Sequence, residues 1–187
     1  VDSIARYERF TDVGEDREVV KSEDLLALSF VDQGPQLRYV AQWGQWMRWK
    51  ESLWLRDNTL ETFDQIRRHV RIEEPKDPAF LKAHVVSAVE RFARADRRIA
   101  ATVDQWDMHD HLLNTPDGPV NLQSGLMQDP DPSLYMSKST IVLPLGKAPR
   151  WHKFLDEVTG GDVDYQLFLQ RVIGYCAGGS THEHAMF

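Results

Sequence analysis

Residues 37–56 read LRYVAQWGQWMRWKESLWLR. Leu37, Tyr39, Ala41 and Trp43 alternate with Arg38, Val40 and Gln42, the two-residue period of a strand. After Gly44, Trp46–Trp49 and Leu53–Arg56 form two further short runs, separated by Lys50-Glu51-Ser52. The spacing predicts a three-strand antiparallel meander closed by a tight turn. Trp43, Trp46, Trp49 and Trp54 all fall within it. Two readings of this tryptophan set compete: a small aromatic core on one sheet face, or a platform on which single-stranded bases stack. The aromatic core is the expectation.

Helical signals surround the meander. Ser22 is placed to cap a helix over Glu23–Val31, with acids in its first turn, an inward face of Leu25, Leu28 and Phe30 or Val31, and Gly34-Pro35 as its stop. Thr59 or Asn58 opens a second helix through about Ile72, in which Leu60, Phe63, Ile66 and Val70 recur at helical spacing. Asp77 with Pro78 starts a third, carried by Phe80, Leu81, Val85, Ala88, Val89 and Phe92. Near Asp96 this helix continues or restarts toward Ile99, Ala100, Val103 and Trp106. Between Asp107 and Leu145 prolines and glycines punctuate short apolar pieces. A short hairpin is expected from Val120–Leu122 and Leu126–Gln128, and another strand at Ile141–Leu143. Pro149 begins a helix with Trp151, Phe154, Leu155 and Val158 on one face. Asp162 caps a last helix over about Val163–Ala177, ended by Gly178-Gly179. The fold class is therefore α+β and predominantly α-helical: an N-terminal Trp-rich meander, a central helical pair or triple, short hairpins and two C-terminal helices. Residues 1–21 read as a polar arm or linker. One domain over 22–187 divides into 22–57 (helix plus meander), 58–106 (helices), 107–148 (hairpin and loops) and 149–187 (C-terminal helices).

Composition narrows the function classes. A chain of 187 residues with 42% hydrophobic content supports one domain with a real core. No apolar run is long enough to span a membrane, and the N-terminus has no apolar signal region. Cys176 is the single cysteine, which forbids an internal disulfide and fits a reducing, cytoplasmic setting. Net charge is −7, so strong autonomous coating of DNA is disfavoured while a local basic stripe is not.

The chemistry-bearing motifs are mostly negative. No G-x-x-x-x-G-K-[ST] and no G-x-G-x-x-G occurs, so the backbone cradle and lysine that ATP hydrolysis needs are missing from these residues. No G-x-S-x-G elbow is present, and Cys176 on an apolar helix face reads as core. His109 and His111 in W-D-M-H-D-H, with His182 and His184 in H-E-H, are the one candidate metal set. They define the alternative reading, a His/Asp metal-dependent phosphoesterase, although no H-E-x-x-H accompanies them. The acids Asp129, Asp131, Asp156, Glu157, Asp162 and Asp164 read as caps, turns and solvated faces. The candidate DNA contacts are basic: Arg67, Arg68 and Arg71, with His69 among them, and then Arg94, Arg97 and Arg98, whose spacing lets them share a helix face. Such a stripe is a solvated face, a track for phosphates of single-stranded or forked DNA, or a contact for a neighbouring subunit. Arg171, in the last helix, is a candidate interdomain contact.

The order of signals from Trp106 onward is specific. Leu112-Leu113-Asn114, an Asp117-Gly118 turn, Val120-Asn121-Leu122 and a Gly125 turn are followed by Trp151 with Phe154-Leu155, Gly160-Gly161-Asp162, and Leu169-Gln170-Arg171 leading to Gly174-Tyr175. This succession resembles the segment just before the ATPase motor in phage- and plasmid-encoded primase–helicases, including the poxvirus primase–helicase. The resemblance covers about residues 23–187. It implies a non-catalytic module between an N-terminal primase module and a C-terminal superfamily-3-like helicase, whose P-loop strand is expected just beyond Phe187. It further implies a role in assembling a hexameric ring and engaging DNA at replication. ATP and Mg would belong to the parent protein and no cofactor to this chain.

Overall fold

A computed structural model describes residues 22–34, 36–144 and 146–179. The expected arm at 1–21, and His182 and His184, lie outside the described residues. The helices are α1 (Glu23–Asp32), α2 (Glu61–Glu73), α3 (Ala83–Ala95), α4 (Pro149–Thr159) and α5 (Val163–Ala177). The strands are β1 (Leu37–Val40), β2 (Gln45–Lys50), β3 (Leu53–Arg56), β4 (Ala100–Ala101), β5 (Leu112–Thr115) and β6 (Gly118–Asn121). The fold is α+β, with the Trp-rich meander in its expected place.

The meander is part of a larger, mixed sheet of order β3-β2-β1-β4. β1 and β2 pair antiparallel, Tyr39 opposite Trp46, and β2 and β3 pair antiparallel, Trp49 opposite Trp54. β4 runs parallel to β1, Val40 opposite Ala101. This strand replaces the helical continuation expected beyond Asp96. α3 ends at Ala95 because Asp96 turns extended and its carboxylate accepts the backbone N–H of Arg98 at 2.8 Å. Tyr39 N–H then donates to Ile99 O at 2.9 Å, drawing the segment onto the sheet edge.

The strand period divides the buried side chains between two faces. Leu37 and Trp46 point to one side, where Leu26, Phe30 and Val31 of α1, Ile66 and Val70 of α2, and Val85, Val86, Val89 and Ala93 of α3 cover them. Inward positions on α1 are thus Leu26, Ala27, Phe30 and Val31; Phe30 and Val31 are buried as expected, whereas Leu25 and Leu28 are half-buried and Leu26 and Ala27 take the inward places. Val40, Met47 and Trp54 point to the other side and pack with Ala101 and Trp106, flanked by Trp49, Val103 and Tyr135. The tryptophans therefore do not share one face: Trp46 belongs to the helical side and Trp54 to the opposite one.

Local signals explain most boundaries. Ser22 accepts the Leu25 N–H at 3.3 Å and starts α1. Asp162 accepts the Tyr165 N–H at 3.0 Å and starts α5, after Gly160 and Gly161 at positive φ end α4. The turn at Pro116-Asp117 joins β5 to β6, a hairpin one element earlier than expected. Val120 and Met127 form only an isolated bridge, and Ile141–Leu143 is not a strand. Gly118 is required at that turn: at φ 123°, a Cβ there would lie 2.2 Å from Gln128 O. Asn114 ties the hairpin to the meander, donating to Ser52 O at 2.9 Å and Lys138 O at 3.2 Å. α3 begins at Ala83 rather than at Pro78. Asp77 instead closes a local turn by accepting the Ala79 N–H. No described helix is long and apolar enough to cross a membrane.

The start of α2 is the most informative. Neither Asn58 nor Thr59 caps it; Leu60 precedes it in the left-handed region, with no side-chain cap of its own. Asp57, in the chain leaving β3, accepts the backbone N–H of Thr59 and Glu61 at 3.1 Å each and of Thr62 at 2.7 Å. Burial raises the pKa of this carboxyl, but the bonds from Thr62, Thr59 and Glu61 outweigh it and hold it at about 2, against an ordinary 3.8. A depressed carboxyl contributes stability that is complete above its unfolded pKa and lost as pH falls through the folded value. Asp57→Asn is therefore expected to lower the unfolding free energy by about 2 kcal/mol at neutral pH. It should also flatten the acid dependence between about pH 4 and about pH 2 in urea melts. A variant with the parent's acid slope would refute this assignment.

Candidate nucleic-acid interface

The arginines singled out as DNA contacts do not form one stripe. Arg67 and Arg68 lie exposed on α2, and both face Asp64: Arg67 at 4.0 Å and Arg68 in a close ion pair. His69, beside them in sequence, is buried. Its Nδ1 is 3.0 Å from Gln33 Nε2, its ring packs on Phe30, and burial pushes its pKa down. Arg71 is exposed and without an acidic partner among the described residues.

Arg94, Arg97 and Arg98 are separated by the end of α3. Arg94 is half-buried and turned to the sheet, 4.9 Å above the Tyr39 ring, with Nη1 donating to the Tyr39 hydroxyl at 3.3 Å. Its other arm meets Glu90, whose Oε1 accepts the Trp46 indole N–H at 2.8 Å. This chain of bonds satisfies a buried indole and locks α3 to the sheet; burial opposes the Arg94 charge, but Glu90 and Tyr39 together raise its pKa. Arg98, in the turn, bridges Asp96 at 2.8 Å and Asp32 at 2.5 Å, which raise its pKa. It thereby joins the end of α1 to the start of β4. Arg97 is exposed and without an acidic partner among the described residues. Of the six candidates, four hold the fold or sit against an acid, and Arg71 and Arg97 keep an uncommitted charge.

Sequence reading passed over the arginines of the meander itself. Arg38 stacks against two aromatic rings, 5.3 Å from the Trp54 centroid and 5.7 Å from that of Tyr135. Arg56 lies 5.8 Å over Trp43, whose ring contacts Trp106 at 5.6 Å. Neither has a carboxylate partner among the described residues. The signal was available in the alternation: Arg38 shares its strand face with Val40, and Arg56 shares the face of its register partner Met47.

The remaining candidates stay apart. Half-buried His109 and exposed His111 have ring centroids 6.2 Å apart. Among the described residues no group of three or more His, Cys, Asp and Glu side chains converges on a point, so nothing supports the phosphoesterase alternative. Asp131 caps a 3-10 turn by accepting from Ser133, and Asp156 accepts from Gln166. Arg171 is exposed on α5. Cys176, expected in the core, is exposed as well, on a helix with no buried residue.

Two stability consequences separate the structural arginines from the surface ones. Glu90→Ala leaves the Trp46 N–H without its acceptor and should lower the unfolding free energy by about 1–3 kcal/mol in denaturant titrations. Arg67→Gln with Arg68→Gln should change it by less than about 0.5 kcal/mol. Equal effects would refute this division.

No curated protein matches the chain. Residues 24–160 match the family described as D5 N terminal like. That span runs from α1 to the glycine that ends α4, and takes in both sheets and the helical core. The chain belongs to this family, the N-terminal domain of D5-like primase–helicases.

Proposed function

We propose that this chain is a non-catalytic module of a replicative primase–helicase. It links a primase module to a superfamily-3-like ATPase and supports assembly of a hexameric ring on DNA. ATP and Mg belong to the ATPase of the parent, which acts in the cytoplasm.

One observation supports assembly most directly. No residue of α4 or α5 is buried, yet the pair carries a dense apolar surface. Trp151 and Phe154 stack 5.5 Å apart and are 44% and 48% exposed; Tyr165 and Phe168 stack at 6.3 Å and are 48% and 50% exposed. Val158, Leu167 and Ile173 extend the surface. The pair is fastened to the body at Gly179, whose N–H donates to Asp110 O at 2.9 Å. Exposed apolar side chains concentrated on two neighbouring helices are what a protein interface presents. Adjacent copies of the module and the modules on either side of it are the proposed occupants of this surface. Arg171, exposed on α5, lies on this surface and is the charged contact at its rim. DNA engagement falls to uncommitted cations, Arg71 and Arg97 among them.

Sedimentation tests assembly. The chain should associate with rising concentration, and Phe154→Glu with Phe168→Glu should return it to a monomer of unchanged circular dichroism. The same pair placed in the parent protein should abolish the ring. A wild-type chain that stays monomeric, together with a parent ring indifferent to both substitutions, contradicts the proposal.

A further inference from the structure

Two depressions meet at the end of the four-stranded sheet, and Gln36 lines both. The first, about 260 Å³, lies where α1 ends, with Arg38, Trp54 and Arg98 in its wall. The second, about 400 Å³, lies between the meander and α2, with Arg48, Trp49 and Lys50 in its wall. Each thus has two cations and a tryptophan, and the two tryptophans are register partners with ring centroids 5.6 Å apart. Glu61 is the one carboxylate among the lining residues of either. Asp32 and Asp96 neutralise Arg98 from outside the wall, so the surplus of positive charge is Arg38 and Lys50, in a chain of net charge −7.

In each depression one cation is committed and one is not. Arg98 is held by Asp32 and Asp96, and Arg48 by Glu61. Arg38 has no acid: its Nε donates to the Tyr135 hydroxyl at 3.1 Å and its Nη1 to Leu37 O at 2.7 Å. Among the described residues Nη2 has no partner, so the planar guanidinium is fixed against Trp54 and Tyr135 with one donor edge open. Lys50 is exposed at the end of β2 and has no acidic partner among the described residues. A guanidinium already ordered by stacking loses little further entropy on meeting a phosphate, and its fork matches phosphate oxygens.

We propose that this end of the sheet binds the backbone of single-stranded nucleic acid, one phosphate at Arg38 and a second at Lys50, with the strand crossing over Gln36. Arg38 and Lys50 lie on opposite faces of the sheet, on either side of Gln36, so a flexible strand passing over the sheet end can meet both, which a lone anion cannot. Trp54, 1% exposed, and half-buried Trp49 back the two depressions without offering rings to bases, so the contact is with the phosphates of the strand. The proposal deepens the DNA-engagement part of the reading above and places it on residues other than the helix arginines. It does not depend on the α4–α5 surface.

The test is fluorescence anisotropy of a labelled oligothymidylate of about 16 nucleotides over a series of salt concentrations. The wild-type chain should bind with log Kobs falling linearly against log salt. Lys50→Gln, at an exposed partnerless position, should reduce that slope by about 0.7, Arg38→Gln by about the same, and the double variant by about 1.4. Arg38→Lys should keep the slope, and Arg67→Gln with Arg68→Gln should leave binding unchanged. Thermal melts of each variant identify any that fails to fold, and Lys50→Gln decides in that event. In NMR spectra the indole N–H signals of Trp49 and Trp54 should shift with the oligonucleotide, and that of Trp46 should not. Inorganic phosphate at matched ionic strength should not displace the strand. Full displacement would make this a simple anion site and overturn the proposal. Intact binding by Lys50→Gln and Arg38→Gln, with loss in Arg71→Gln and Arg97→Gln, overturns this site alone and leaves DNA engagement standing. No binding by the wild type overturns the site and the DNA-engagement reading together, while sedimentation judges assembly separately.

Discussion

Strand β2 imposes the constraint on which the rest depends. Trp46 and Trp49 are three residues apart, so the two-residue period sends them to opposite sides of the sheet. A slip of one residue would move Trp46 away from Glu90 and put Arg48 where Met47 is buried. With the register fixed, the sheet must be covered on both faces, and the chain supplies different material for each. Three helices cover one side. The other is closed by Trp106, Tyr135 and the loops that carry them, with rings meeting edge-on at 5.2 Å.

That two-sidedness gives the polar network its purpose. The indole of Trp46 is buried under helices and needs an acceptor, which Glu90 provides while anchoring Arg94. Trp54, 1% exposed on the other face, donates to Pro132 O at 2.9 Å and so pulls the 131–137 loop onto the sheet. Arg98 crosses between α1 and the turn before β4. Arginines that look like a nucleic-acid stripe in sequence thus fasten helices to strands. Arg38 and Lys50, without acidic partners among the described residues, lie instead where the sheet ends.

Much of this was legible in the sequence, and the misses share a cause. Local signals carried: Ser22, Asp162 and Gly160 act within a few residues and end or begin helices where expected. The meander followed from its alternation. What failed depended on distant partners. Ala100 and Ala101 have no strand signature of their own and become β4 because β1 offers an unpaired edge. Asp57 caps α2 from beyond a left-handed Leu60, a geometry that a search for Ser, Thr, Asp or Asn directly before the helix overlooks. Arg94 looked like one of a surface row because its three- and four-residue neighbours are basic, whereas Tyr39, far off in sequence, decides where it points. The family resemblance, read from the order of turns and apolar pieces, agrees with the family matched over residues 24–160.

The structure is a closed body, α1 through the β5–β6 hairpin, bearing a helical pair with no buried residue, whose apolar side chains we propose are covered by protein on assembly. Residue-level hydrogen exchange tests this most directly. The account predicts that in dilute monomer the amides of β1–β3 and α1–α3 exchange only through global unfolding. Those of α4 and α5 should exchange far faster in the monomer and become protected when the parent protein assembles. Amides of α4 and α5 as slow as those of the sheet in the monomer, with no change on assembly, would contradict it.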